Sequence, residues 1–233
     1  MLALLSQRTS VLTEGTSSHL SPEEEDVVNE AFDVLYENLP IRMSVEEHTS
    51  LGMSGHSYFG LAYAHSIYTD FVEHRKGVAV LVSGTVDSNY SGMDDAAYVM
   101  NEYLDSMDDG KGSGTLWTLD FDLLSENVKG DFVALIYDRA GDRLVLLSGE
   151  GDNNRSLFWG LHREYGDSVI MLSDDGGLLE ALCQPNEVHA FPSNHMCVVS
   201  ADIFKVVPIS CTHTKKRKKN ILNKVESANN MYV

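Results

Sequence analysis

The sequence predicts a layered α+β or α/β fold. Several short apolar segments, rich in β-branched or aromatic residues, have the length of buried strands, among them residues 58–64, 77–82 and 132–137. Two or three segments with helical spacing lie between the early strands and the late ones. Strands, then helices, then strands again is the order expected when sheets and helices pack as layers.

The N-terminal part of the chain predicts one short strand and one helix. Residues 2–5 are apolar and predict a buried strand, and the Ser- and Thr-rich residues 7–20 predict a loop. Ser21-Pro22 starts the helix, with serine as N-cap, proline at the first helical position and Glu24 completing a capping box. Apolar residues then recur at helical spacing until Leu39-Pro40 ends the helix. They are Val27, Val28, Ala31, Phe32, Leu35 and Tyr36.

The middle of the chain contains the longer predicted loops. Residues 44–56 are polar with no strong period, and residues 84–92 are rich in turn-forming residues. Residues 93–107 predict a helix with an apolar side, and residues 116–128 predict a second one. The acidic, Gly-rich residues 108–114 between them predict a loop.

The C-terminal half contains the most regular strand pattern. Residues 132–137 and 143–147 predict a hairpin whose turn is DRAGD, residues 138–142. Ser173-Asp174-Asp175 predicts the cap of a helix that runs to about Leu182. Further strands are predicted at residues 156–160, 168–172, 195–200 and 203–207.

Composition favours a soluble intracellular protein. Hydrophobic residues make up 43% and charged residues 22% of the 233 residues, as in ordinary globular domains. No apolar run approaches the roughly 18–20 residues that span a bilayer, and Gln7-Arg8-Thr9-Ser10 interrupts the apolar start, which therefore does not resemble a signal peptide. The cysteines are too sparse for a disulfide framework and contain no C-x-x-C pair; they are Cys183, Cys197 and Cys211.

The formal charge of -18 is unevenly distributed along the chain. After residue 214, six basic residues and one acid leave a net charge of +5, so the preceding 214 residues carry -23. So acidic a body repels phosphates, and we expect its core to bind neither nucleic acid nor membrane. The basic residues after position 214 are a candidate nuclear-import signal or a binding segment for acidic partners. Alternatively, they belong to a solvated tail, which could also dock on the acidic part of the same chain. We therefore expect a cytoplasmic protein, with nuclear import as an open alternative through Lys215, Lys216, Arg217, Lys218 and Lys219.

Residues 128–180 contain a series of motifs in a specific order. GDFVALIYD at residues 130–138 is followed by Gly151-Asp152, by RSLFWG at residues 155–160 and by MLSDD at residues 171–175. In these motifs and their spacing the segment resembles class II glutamine amidotransferases, including the N-terminal domain of asparagine synthetase. The most similar group is the plant aluminium-induced proteins with an amidotransferase-like domain, which also begin Met-Leu-Ala.

The resemblance implies a specific architecture and domain division. The fold of that family is the N-terminal-nucleophile (Ntn) hydrolase fold, a four-layer αββα sandwich in which two β-sheets pack face to face between helical layers. It implies one amidotransferase-like domain over residues 1–210 and a basic, flexible tail over residues 211–233. We expect no counterpart of the second, ATP-using domain of asparagine synthetase.

The resemblance also shows what this chain lacks. Glutamine hydrolysis in that family uses an N-terminal Cys thiolate, with the free α-amino group of the same residue as base. The matching residue here is Leu2, which has no nucleophilic atom, and we expect Met1 to be retained before so bulky a residue. Ser6 lies four residues deeper and has no free amine. Because loss of a nucleophile alone lowers the rate by orders of magnitude, we expect a pseudoenzyme.

The other groups that the family's chemistry needs are degraded or unassigned. The Asn-Gly pair of the oxyanion hole aligns with Ser83-Gly84, where Gly84 either donates its N–H or simply serves a turn. No arginine convincingly matches the carboxylate clamp, although Arg8, Arg42 and Arg75 precede that strand. The acid that binds the substrate amine aligns with Asp94 or Asp95, which equally suit the start of a helix. The candidates for a vestigial pocket are therefore Ser83, Gly84, Asp94 and Asp95.

The sequence contains no recognisable cofactor or metal motif, and we expect neither. The nine histidines have no ligand spacing, and no Walker or G-x-S-x-G motif occurs. Three functions remain open: a catalytically inactive binding or regulatory module, with the stress-responsive role that the resemblance implies; an amidohydrolase with another nucleophile; and a dimeric scaffold. The corresponding partners are a small amino-acid-like ligand or an unknown protein, and a second copy of the chain.

Overall fold

The structure, a computed structural model, is an α+β fold dominated by antiparallel strands. It describes residues 1–7, 22–38, 44–51, 57–64, 66–74, 77–87, 92–108, 124, 126–149, 156–200 and 203–208. Its strands are β1 (Leu2–Gln7), β2 (Val45–Leu51), β3 (Ser57–Ala64), β4 (Thr69–His74), β5 (Val78–Val86), β6 (Gly130–Asp138), β7 (Arg143–Ser148), β8 (Phe158–His162), β9 (Gly166–Ser173), β10 (His189–Ala190), β11 (His195–Ser200) and β12 (Ile203–Pro208).

The strands of the described residues form two six-stranded sheets. The first sheet has the order β10-β8-β9-β1-β3-β2, and the second has the order β12-β11-β7-β6-β5-β4. Every neighbouring pair is antiparallel. The N-terminal strand β1 is therefore interior to its sheet, between β9 and β3, which places the start of the chain inside the fold.

Three helices have described boundaries. They are α1 (Pro22–Asn38), α2 (Asp95–Asp108) and α3 (Gly176–Leu182). α1 begins at the proline that the sequence predicts at the first helical position. Asp175 is the N-cap of α3, as predicted, because its side chain accepts a hydrogen bond from the Gly177 N–H at 2.9 Å. Of the predicted helix at residues 116–128, only residues 124, 126 and 127 are described as helical, and most of the rest lies outside the described residues.

Buried apolar residues form three cores. One lies between the sheets and combines residues of the first sheet, such as Phe59 and Leu61, with residues of the second, such as Leu135. In that core the rings of Phe59 and Tyr137 stack with centroids 4.6 Å apart. A second core joins α2 to the other face of the second sheet, and a third joins α1 and α3 to the other face of the first sheet.

The strand β6 explains why the predicted strands read as continuous apolar runs. Its residues alternate between the core beneath α2 and the core between the sheets, so both of its faces are buried. Phe132, Ala134 and Ile136 face α2, whereas Val133, Leu135 and Tyr137 face the first sheet.

β2 and β4 are edge strands, and side chains join them across the two sheets. The ring of His48 in β2 lies 5.1 Å from the ring of Phe71 in β4, and His48 Nδ1 lies 3.8 Å from Glu73 Oε2. The sequence analysis did not predict either strand. An edge strand has one side open to solvent, so it needs few apolar residues and shows little hydrophobic period.

Three further sequence-based expectations differ from the structure. The segment 84–92, predicted as a loop, begins inside β5, which continues to Val86. The predicted strand at residues 156–160 lies two residues later, at Phe158–His162. Tyr36, predicted to face inward, is 49% exposed, and its hydroxyl donates to Glu47 Oε1 at 2.7 Å. A phenol tolerates this position because its ring is apolar and its hydroxyl is polar.

Candidate functional site

The predicted nucleophile position lies at the start of β1. Leu2 is the first residue of the strand and pairs with Ala62 of β3 on one side and with Ser173 of β9 on the other. The preceding residue, Met1, is buried and packs in the core between the sheets. The backbone at Leu2 is therefore held from both sides.

The α-ammonium group of Met1 has a carboxylate partner. Its nitrogen lies 2.6 Å from Asp174 Oδ1, with Asp174 directly after β9. The hydroxyl of Ser173 donates to the Met1 carbonyl oxygen at 2.7 Å and accepts from the Asp175 N–H at 3.0 Å. These contacts orient Asp174 towards the chain terminus.

Ser83, which belongs to the second sheet, contacts the same carboxylate of Asp174. Its hydroxyl lies 3.3 Å from Asp174 Oδ2 and donates to it, while its side chain is buried in β5. The structure therefore brings the predicted Ser83 together with the chain terminus, although they are 82 residues apart in sequence. We call Met1, Ser83, Ser173 and Asp174 the N-terminal cluster.

Gly84, the second oxyanion candidate, uses its N–H elsewhere. That N–H donates to the carbonyl oxygen of Tyr68, the residue directly before β4, at 2.8 Å. Gly84 has φ +127°, and a Cβ there would lie 2.3 Å from the Asp131 carbonyl oxygen. Glycine is thus required by the close approach of β5 to β6, and the sequence-based alternative of a simple turn is wrong.

Asp94 and Asp95 organise the start of α2. Asp95 Oδ2 accepts from the Val86 N–H at 2.9 Å, and the Asp95 N–H donates to Asp70 Oδ2 at 3.2 Å. Asp94 is exposed, and its carbonyl oxygen accepts from the Tyr98 N–H at 2.9 Å. None of these described contacts reaches the N-terminal cluster, so they support the helix-start interpretation.

The environment of Asp95 favours its neutral form. Burial raises the pKa of its carboxyl group, and the hydrogen bond from Val86 opposes that shift. The nearby carboxylates raise the pKa further; they belong to Asp70, Asp94 and Asp87. The repulsion among these carboxylates destabilises the start of α2.

The sequence analysis missed Ser148, which ends β7. Ser148 pairs with Val133, and Val133 pairs with Ser83, so the three residues form one row across the second sheet. Ser148 is 1% exposed, and its hydroxyl has no hydrogen-bond partner among the described residues. The only sequence signal is a polar residue at the end of the apolar run RLVLLS.

The two described thiols are poor candidates for a replacement nucleophile. Cys183 and Cys197 are both buried and free. Burial raises the pKa of each thiol to about 11, so each is protonated at neutral pH. Cys183 packs in the core beneath α1 and α3 rather than in the core that contains Met1.

Several predicted features lie outside the described residues. They are Arg8, Arg42 and Arg75, the third cysteine Cys211, and the basic run at residues 215–219. Within the described ranges, no group of three or more His, Cys, Asp or Glu side chains is placed to hold a metal ion. In the same ranges, no helix has both the length and the apolar character needed to cross a bilayer.

Comparison with known proteins identifies the fold. Sequence comparison matches the chain to no protein-family profile and to no curated protein. The structure is similar to glutamine phosphoribosylpyrophosphate amidotransferase from B. subtilis, complexed with ADP and GMP, with a TM-score of 0.55 and 9% identity over 91% of this chain and 49% of that chain. It is also similar to the allosteric regulatory enzyme of purine biosynthesis, with a TM-score of 0.53 and 9% identity over 91% of this chain and 49% of that chain.

This chain spans about half the length of the two enzymes, and at 9% identity the likeness concerns the fold alone. The likeness supports the amidotransferase-like fold that the sequence motifs predicted. The chain has the glutamine amidotransferase-like fold of the Ntn hydrolases.

Proposed function

We propose that this chain is a class II glutamine amidotransferase-like protein that has lost glutaminase chemistry and acts as a binding or regulatory module. We infer that its finer architecture is the four-layer αββα sandwich, because α2 packs on one sheet and α1 and α3 on the other. A stress-responsive role, and a closer likeness to plant aluminium-induced proteins or asparagine synthetase, stay predictions from the sequence motifs.

The observation that carries the proposal is the start of β1. By the sequence motifs, Leu2 corresponds to the family's nucleophile, and it offers no atom that attacks an amide. The α-amino nitrogen of the preceding residue, Met1, lies 2.6 Å from Asp174 Oδ1. The family's chemistry needs the nucleophile and this amine on one residue, and here the amine belongs to Met1.

The surroundings of Leu2 support the same proposal. An oxyanion hole needs hydrogen-bond donors that are free to face the developing negative charge. The Gly84 N–H is donated to Tyr68, and the Ser83 hydroxyl is donated to Asp174. An oxyanion beside Ser83 would also lie near the Asp174 carboxylate, which would repel it.

Ammonia release from L-glutamine tests the loss of activity. The intact mass of the purified protein first establishes whether Met1 is present. We expect no release above that of a heat-denatured sample, with an active glutamine amidotransferase as positive control. Release that increases in proportion to the protein concentration would overturn the proposal.

A thermal-shift panel of amino acids and amides tests the binding role. A ligand that binds the folded state raises the melting temperature in proportion to the logarithm of its concentration above Kd. We expect stabilisation by at least one amino-acid-like compound. An unchanged melting temperature across the panel would contradict a binding role in the N-terminal cluster.

One contact favours a second candidate function, an amidohydrolase with another nucleophile. The buried Ser83 hydroxyl donates to Asp174, and the α-amino group of Met1 contacts the same carboxylate. A serine near a carboxylate and an amine has the components of a proton-transfer chain. Under this alternative, Ser83→Ala abolishes any amide hydrolysis while the protein still folds; under the first proposal there is no hydrolysis to abolish.

The remaining sequence-based predictions each have a direct test. A dimeric scaffold predicts twice the chain mass in light scattering at micromolar concentration. If the tail is a nuclear-import signal, a cytosolic reporter fused to residues 215–233 should enter the nucleus.

A further inference from the structure

Ser83 and Ser148 face the same space between the two sheets. They are joined through Val133, which pairs with Ser83 in β5 and with Ser148 in β7. Directly paired residues of an antiparallel sheet have their side chains on the same face. Val133 packs in the core between the sheets, so both serine side chains are directed into that space.

The hydroxyl of Ser148 is unusual for a buried polar group. It is 1% exposed, and no hydrogen-bond partner for it lies in the part of the chain that the structure describes. Buried polar groups are almost always hydrogen-bonded, because an unpaired one keeps its desolvation cost. Ser106 in α2 shows the usual arrangement, since it is also 1% exposed and its hydroxyl donates to the Tyr103 carbonyl oxygen at 2.7 Å.

The unpaired hydroxyl lies close to the N-terminal cluster. Ser148 and Ser83 are two strand spacings apart, so their Cα atoms are separated by about 10 Å. Ser83 in turn contacts Asp174, which holds Met1. Val133 between the two serines is apolar, so this row of the sheet has a hydroxyl at each end and an apolar side chain between them.

We propose that Ser148 is a ligand-binding residue of this site, and that its hydroxyl hydrogen-bonds to an uncharged, oxygen-bearing group such as a carboxamide or an alcohol. This inference rests on the proposed function as a binding module. Ser148 supplies one donor and two acceptor positions and no charge. The carboxylate of Asp174 on the Ser83 side disfavours an anionic group there.

The test compares Ser148→Ala with Ser106→Ala as a matched control. Both variants remove one hydroxyl from an equally buried serine, but only Ser148 lies in the core between the sheets. The probes are L-glutamine, L-asparagine and acetamide as uncharged groups, with L-glutamate as the anionic counterpart of L-glutamine. Melting temperature without probe and Kd from calorimetry are measured for the unmodified chain and both variants.

Three results are expected. Without probe, Ser148→Ala melts at or above the temperature of the unmodified chain, because it removes an unpaired hydroxyl, whereas Ser106→Ala melts lower. With the best carboxamide probe, Ser148→Ala binds about tenfold more weakly, as for loss of one hydrogen bond, and Ser106→Ala binds as tightly as the unmodified chain. L-Glutamate binds more weakly than L-glutamine.

Three other results would overturn the inference, and they are distinguishable. If Ser148→Ala retains full affinity while Ser83→Ala loses it, the binding site of the proposed function stands without Ser148. If Ser148→Ala melts as low as Ser106→Ala in the absence of probe, the hydroxyl already has a partner in the free protein. If no probe binds the unmodified chain, the proposed function and this inference fail together.

Discussion

Asp138 and Arg143, which flank the turn between β6 and β7, form a buried ion pair with Arg143 Nη2 2.8 Å from Asp138 Oδ2. The Tyr103 hydroxyl of α2 donates to the same oxygen at 2.9 Å. The other oxygen, Asp138 Oδ1, accepts from the N–H groups of Ala140 and Gly141 in the turn. The Asp138 carboxylate therefore stabilises the turn of the hairpin and also connects the hairpin to α2.

Replacing Asp138 with Ala should strongly destabilise the protein. The change leaves the mostly buried Arg143 guanidinium without its carboxylate, and removal of one partner of a buried pair typically costs about 3 kcal/mol or more. Urea unfolding measures the loss. Asp105→Ala, which removes the same charge from an exposed position of α2, should change stability by less than about 0.5 kcal/mol. Equal losses in the two variants would show that net charge, not the contact, matters.

Gly84→Ala should destabilise the protein more than Gly92→Ala does. Both residues have positive φ, +127° and +95°, so both variants carry a backbone penalty of order 1 kcal/mol. A methyl group at Gly84 would in addition lie 2.3 Å from the Asp131 carbonyl oxygen, whereas none of the described atoms lies within 4 Å of the one at Gly92. Chemical unfolding of both variants gives the difference, and its absence would mean that β5 and β6 separate without cost.

His162 should make stability fall as the pH falls below its ordinary pKa. Burial lowers the pKa of His162 below 6.5, and the charges of Glu30 and Glu164 oppose the shift. The unfolded chain then binds a proton that the folded protein does not, so stability falls as the pH decreases from about 6.5 towards the folded-state pKa. The limit is about 1.4 kcal/mol per pH unit.

The measurement is the urea midpoint between pH 8 and 5. His162→Asn keeps an acceptor for the Glu164 N–H, which donates to His162 Nδ1 at 3.3 Å, but removes the titrating ring. Its stability should fall less steeply than that of the unmodified chain. His189→Asn, at an exposed position, should retain the original slope. An unchanged slope in His162→Asn would assign the pH dependence to another group.

Restoring a thiol at Leu2 should not restore glutaminase activity. Removal of Met1 before the small cysteine would give the new thiol its own α-amine, but the Gly84 N–H remains donated to Tyr68 and the Ser83 hydroxyl to Asp174, so the oxyanion donors stay occupied. We expect ammonia release from L-glutamine equal to that of Leu2→Ala. Release only from the Cys variant would mean that the surrounding groups still support the chemistry and that the nucleophile alone was lost.

The sequence predicted those parts of the fold whose signal is local. The N-cap at Asp175, the hairpin turn after Asp138 and the buried run at residues 132–137 each follow from a few adjacent residues. The edge strands β2 and β4 were not predicted because their pairing with β3 and β5, and not a pattern in their own residues, defines them. Similarly, the contact of Asp174 with Met1 joins residues 173 positions apart, and no local pattern encodes it.

The candidate site was predictable only in part for the same reason. Ser83 and Leu2 came from aligned motifs, and the structure places Ser83 beside the chain terminus. Ser148 carries no motif, and only its position across from Val133 reveals it. Gly84 was interpreted as a turn residue because the sequence alone does not distinguish a glycine required by a close neighbouring strand from one required by a turn.

Among the described strands, β2 and β4 each have one edge without a neighbouring strand, which bears on the colloidal behaviour of the protein. An unpaired strand edge is a template for another molecule, and the acids on these two strands give it a negative charge: Glu46, Glu47, Asp70 and Glu73. At neutral pH this charge repels the same edge of a second molecule. As the pH approaches the sequence pI of about 4.7, the repulsion fades, and we expect concentrated solutions to associate through these strand edges.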